Sequence, residues 1–163
     1  MTELTTTARV SAFLDQLTAL SDKASAQRNL ALWMKKNLTL DGKPYSLKDH
    51  EFQEAIINDR HPRMCVIKAS QIGLTEMSLR LSAAMLAVGR IKLMYVLPSA
   101  TFSQKVSVDR FLPIIQGSKI LSALQRPEAK GAAMRKLGNS TIYFSGASSD
   151  AQAISIPAEA IVF

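Results

Sequence analysis

Apolar residues recur at helical spacing from early in the chain. Val10, Phe13, Leu14, Leu17 and Leu20 fall on one helix face, and Leu30, Trp33, Met34 and Leu38 continue the pattern. They predict helix over residues 8–38, broken near Ser21-Asp22. Asp41-Gly42-Lys43-Pro44 is a turn signal. It divides the chain into an N-terminal helical arm, residues 1–43, and a main domain, residues 44–163. Ser46-Leu47-Lys48-Asp49 resembles a capping box with Asp in place of Glu or Gln, and predicts a helix to about Asn58. His61-Pro62 ends that stretch. Met64-Cys65-Val66-Ile67 is short, apolar and partly β-branched, which predicts a buried strand.

A loop from Ala69 to Leu74 leads into helix over Thr75–Val88, closed by Gly89. Leu93–Leu97 reads as a second strand, Thr101–Phe111 as helix, and Gly117–Gly138 as a helix and turns. Ser140–Ser145 reads as a third strand, and Ile161-Val162-Phe163 begins a fourth. The alternation predicts an α/β fold with a mostly parallel sheet covered by helices on both faces. Ligands of such sheets bind at the carboxyl ends of the strands.

With 163 residues, 47% of them hydrophobic, the chain has enough apolar mass for one domain with a real core. Charged residues at 20% argue against disorder. No apolar run approaches the roughly 18 residues that span a membrane. The start Met1-Thr2-Glu3-Leu4 lacks the basic-then-apolar pattern of a secretory signal. A single cysteine, Cys65, excludes an internal disulfide framework and suits a reducing cytoplasm. The net charge of +7 favours polyanionic partners, nucleic acid foremost, although many proteins are as basic without binding it.

The chemistry is concentrated in Lys68-Ala69-Ser70-Gln71-Ile72-Gly73-Leu74-Thr75. The common phosphate loop reads G-x-x-x-x-G-K-[ST]. With Thr75 on the final hydroxyl residue, Gly73 matches the second glycine, Leu74 takes the lysine's place, and Lys68 takes that of the first glycine. The physical requirements are looser than the pattern. Backbone N–H groups must face phosphate oxygens, a hydroxyl must reach Mg²⁺, and one ammonium must reach the β- and γ-phosphates. Thr75 supplies the hydroxyl. Lys68, on a flexible four-carbon stem at the loop entry, supplies the charge. An ordinary strand-to-helix turn with a solvated lysine has the same residues. His50 and His61 lack metal-ligand spacing. Asp109 and Asp150 end no strand, and read as a helix-surface charge and a cap.

At this segment the chain resembles the large terminase subunits of tailed phages, in particular those like the lambda packaging ATPase, whose phosphate loop carries its lysine at the front. Lys43–Phe52 is similar to that family's lead-in, and Phe52-Gln53 stands where these motors have an adenine-contacting aromatic–Gln pair. Tyr95-Val96-Leu97-Pro98-Ser99-Ala100 resembles the next strand and its Pro-Ser/Thr exit. Phe102–Pro113 resembles the helix after it, and Tyr143–Ser149 the turn before the Walker B strand. The likeness covers residues 43–163. It implies a P-loop NTPase of the ASCE/RecA-like class, here a partial ATPase domain ending in the Walker B strand, with the Asp-Glu pair expected just past Phe163. Residues 1–163 alone are expected to be inactive.

The resemblance implies ATP and Mg²⁺ as cofactors, with Lys68 on the β- and γ-phosphates and Thr75 on the metal. Ala69, Ser70, Gln71, Ile72, Gly73 and Leu74 complete the loop, and Gln53, Tyr45 and Phe52 lie at the base. Arg110 is a candidate sensor, or an arginine finger acting on a neighbouring subunit, where it would stabilise charge developing on the γ-phosphate. The place of the family's arginine ahead of Walker B holds Ile154. Implied partners are double-stranded DNA, the terminase small subunit, the portal and procapsid, and further copies in a homo-oligomeric ring, in the host cytoplasm. The implied function is ATP-driven translocation of DNA into a procapsid. Two other readings are a helicase-type P-loop ATPase, and a non-catalytic nucleotide- or subunit-binding fragment.

Overall fold

The computed structural model describes residues 29–59, 61–125, 131–148 and 156–163. The helix expected before residue 29, Asp150 and Ile154 lie outside these residues. Helix α1, Leu30–Asn37, starts at Asn29, whose side chain accepts from Leu32 N at 2.8 Å. It buries Leu30, Ala31 and Met34 in the same core that receives Leu38. Strands β1, Thr39–Leu40, and β2, Lys43–Pro44, form an antiparallel hairpin. Its turn residues Asp41 and Gly42 have φ of 51° and 75°. Positive φ at both central positions suits a two-residue Asp-Gly turn.

Helix α2 spans Phe52–Asn58 and α3 spans Leu74–Val88. Strand β3, Lys92–Leu97, is followed by α4, Ala100–Val106, a π-helical turn Ser107–Phe111, and α5, Leu112–Gln116. Helix α6 is Lys119–Leu124. Strands β4, Met134–Leu137, β5, Ser140–Gly146, and β6, Ala160–Val162, complete the order. The sheet runs β4-β5-β3-β6. β3 is parallel to both β5 and β6, and β4 is antiparallel to β5. The result is the expected mixed α/β fold, with a mostly parallel sheet and flanking helices. α3 packs against β3, β5, α1 and α6. That central place explains why it buries Met77, Leu79, Ala83, Ala84, Leu86 and Val88 around most of its circumference.

Three expectations are corrected. Met64–Ile67 is not a strand: residues 64–69 have no regular structure, Cys65 is exposed and Ile67 is 98% exposed. Apolar, β-branched residues make a strand only where another strand offers its edge, and no described strand pairs with these. The Ser46–Asp49 capping box is instead a turn, in which Ser46 Oγ accepts from Lys48 N at 3.1 Å and Asp49 has φ of 64°. A residue at positive φ is incompatible with a continuing helix, so helix begins only at Phe52. Within the expected helix-and-turn stretch, Met134–Leu137 is a strand. It is set by the two-residue turn Gly138-Asn139, with Gly138 at φ 59° and Leu137 paired to Ser140.

Candidate functional site

The loop entering α3 is shaped by two left-handed residues, Gln71 at φ 61° and Gly73 at φ 72°. Gly73 is the helix N-cap and lacks the Cβ that would oppose this conformation. α3 therefore opens without a side-chain cap, its first N–H groups presented by Gly73, Leu74 and Thr75. Such a turn favours an anion at the helix start. Thr75, in the first helical turn, is half-buried.

A polar chain behind the loop holds it in place. Gln53 is buried, at 3% exposure, and its Nε2 donates to the Ile72 carbonyl at 3.0 Å. The Tyr45 hydroxyl donates to Gln53 Oε1 at 3.5 Å. Burial raises the Tyr45 pKa against a smaller opposing pull from Arg80, so the phenol keeps its proton for that bond. The Tyr45 ring lies under the Arg80 guanidinium, 5.5 Å from its centroid. Arg80 Nε and Nη2 donate to the Thr39 carbonyl at 3.2 and 2.9 Å. Arg80 also pairs with Glu76, whose other oxygen takes Arg110 Nη2 at 2.5 Å. Burial alone would raise the Glu76 pKa. The hydrogen bonds and charges of Arg80, then Arg110, outweigh it, and the carboxyl titrates below its ordinary value. One turn on, Ser78 Oγ donates to the Thr75 carbonyl at 2.9 Å, which leaves the Tyr95 hydroxyl to donate to Ser78 at 2.7 Å.

The residues singled out from sequence thus separate. Gln53, Tyr45, Ile72 and Gly73 form one bonded or touching group, since a Cβ on Gly73 would lie 3.4 Å from Gln53 Nε2. Arg110 is joined to the first turn of α3 through Glu76. Phe52 is exposed, its nearest ring His50 at 6.1 Å. Lys68, Ala69, Ser70 and Gln71 are exposed, and the Lys68 ammonium donates to the Ala69 carbonyl at 3.2 Å. Glu76, Arg80, Ser78 and Tyr95 were not anticipated, although Glu76 and Arg80 stand at the i, i+4 spacing of a helical ion pair. A recess of 360 Å³, lined among others by Lys36, Thr39, Gly117 and Lys119, includes no residue of the loop. No group of residues that could hold a metal through His, Cys, Asp or Glu exists among the described residues, and no helix there is long and apolar enough to cross a membrane.

The brace is testable by stability. Gln53→Ala removes the donor to Ile72 and strands the Tyr45 hydroxyl, a change expected to cost about 1–3 kcal/mol. Urea denaturation measures it, and amide exchange should accelerate over residues 71–74. A change within about 0.5 kcal/mol would mean the bond contributes nothing.

A mostly parallel sheet flanked by helices fits an ATPase domain. The chain belongs to the family described as phage terminase large subunit gpA, ATPase domain, which matches residues 37–163. Membership makes it part of a DNA-packaging ATPase. No curated protein and no solved structure matches it.

Proposed function

We propose that Lys68–Thr75 is a variant phosphate loop that binds Mg²⁺-ATP, and that hydrolysis there drives double-stranded DNA into a procapsid. The observation that carries this reading is the turn at Gly73, left-handed and tied through Ile72 to the buried Gln53, which opens a 15-residue helix in a chain of the terminase ATPase family. Lys68 supplies the ammonium for the β- and γ-phosphates, and Thr75 the hydroxyl for Mg²⁺. The chemistry is in-line attack of water on the γ-phosphorus, in which the protein positions groups and neutralises charge. Gln53 and Tyr45 serve the loop from behind, while the exposed ring of Phe52 is the surface available to a base. Residues 1–43 lead into this unit, and residues 44–163 carry the nucleotide site. The small subunit, portal and a ring of further copies, in the host cytoplasm, are the partners this activity requires.

Titration with a fluorescent ATP analogue, with and without Mg²⁺, tests the site. Saturable binding that Mg²⁺ strengthens and Thr75→Ala weakens is expected. Absence of binding by the unsubstituted chain, or indifference to Thr75→Ala, would remove the reading.

A further inference from the structure

We propose that Glu76 is a positioning residue that holds Arg110 at the first turn of α3, making Arg110 the guanidinium that answers a triphosphate bound in the same subunit's loop. The proposal rests on the nucleotide reading above and adds to Lys68 a second cation, from outside the loop. Glu76 follows Thr75 directly and lies in the first turn of α3. Its two carboxylate oxygens have different partners. Oε1 is held by Arg80, which is itself fixed by the Thr39 carbonyl and the Tyr45 ring and is 3% exposed. Oε2 holds Nη2 of Arg110, whose side chain remains 43% exposed.

A buried arginine costs desolvation, and here it fixes one end of a carboxylate whose other end points at a half-exposed partner. An unrestrained arginine carries about 2 kcal/mol of side-chain entropy. The Glu76 contact removes part of it in advance, while the remaining donors of the fork stay available to an anion. Arg110 also lies in the π-helical turn Ser107–Phe111, a wide turn that recurs at functional sites. The first residue of that turn is fixed by Arg135, buried on β4, whose Nε donates to Ser107 Oγ at 2.9 Å. The turn is thus tied through Ser107 to the sheet and through Arg110 to the helix that follows the loop.

Charge counting and positioning predict opposite signs. Neutralising Glu76 leaves two unopposed guanidiniums, which by charge alone strengthens binding of the more anionic nucleotide. Positioning predicts that it weakens the preference. Equilibrium binding of ADP and of a non-hydrolysable ATP analogue, both with Mg²⁺, is compared for the unsubstituted chain, Glu76→Gln, Arg110→Ala and the double variant. Arg110 is exposed, so Arg110→Ala should melt near the parent. Glutamine keeps an acceptor for the buried Arg80 but not the opposing charge, so Glu76→Gln should melt lower, and binding is compared at a temperature where every variant is folded. Each single is expected to lower the triphosphate-to-diphosphate affinity ratio about tenfold, with ADP affinity within about twofold, and the double to fall no further. An unchanged ratio, a raised ratio in Glu76→Gln, or additive losses in the double would overturn the proposal. Failure of the unsubstituted chain to bind either nucleotide is a different result, which overturns the nucleotide reading and this proposal with it.

Discussion

Lys68→Ala is expected to take the ATP turnover of the packaging motor to background, a loss of at least about a hundredfold. The argument is electrostatic. The loop offers backbone N–H groups and the positive end of α3, each a partial charge. Metaphosphate-like transfer spreads negative charge over the γ-phosphoryl oxygens, and a full positive charge beside them is worth far more than a backbone dipole. Leu74 occupies the position where the usual loop has its lysine, so within the loop Lys68 is the one full cation. Its bond to the Ala69 carbonyl is exposed to water and is therefore a weak restraint on a side chain with four rotatable carbons. Lys68→Arg should retain part of the turnover, since the charge remains while the compact ammonium does not. Steady-state phosphate release measures both. Near-normal turnover of Lys68→Ala would show that another cation serves the triphosphate.

The second large effect is expected at Gly146, where a single methyl group should destabilise the fold by about 3 kcal/mol or more. Gly146 ends β5 opposite Leu97 of β3. A Cβ there would lie 2.2 Å from Ala100 N and 2.6 Å from Ser99 C. Both are backbone atoms at the start of α4, where Ser99 accepts from Phe102 N, and neither can swing aside as a side-chain tip would. The neighbouring bond from Ala147 N to the Leu97 carbonyl, 2.7 Å, fixes the same crossing. Relief requires β5 and the β3–α4 corner to part, which disturbs the carboxyl ends of both strands. Thermal unfolding of Gly146→Ala checks this. A melting temperature close to that of the parent would contradict this close apposition.

The elements legible from sequence are those whose cues are local. The apolar run from Thr75 to Val88 with glycine at each end, the β-branched and aromatic strands around Tyr95 and Phe144, and the Asp41-Gly42 turn each carry their signal within a few residues. Gly138-Asn139 carried one too, between Arg135-Lys136-Leu137 and Ser140-Thr141-Ile142. Arg135 and Lys136 nevertheless give that strand the composition of a surface segment. Arg135 is in fact buried on Ser107, a contact 28 residues distant that no periodicity encodes. Met64–Ile67 failed in the opposite direction. Its composition is that of a strand, but pairing depends on a partner elsewhere in the chain. The candidate site divides in the same way. The turn at Gly73 is legible from the loop pattern, whereas the bond from Gln53 to the Ile72 carbonyl depends on how α2 packs against α3, which no local pattern encodes.

The exposed stretch before the loop has a practical consequence. Cys65, the chain's one thiol, stands three positions ahead of Lys68 and is open to solvent. A maleimide dye would attach at a single place without an engineered cysteine, on the segment that feeds the candidate phosphate contacts. A change in its emission on adding nucleotide would then report binding at the loop, and the molecule supplies its own attachment point for that measurement.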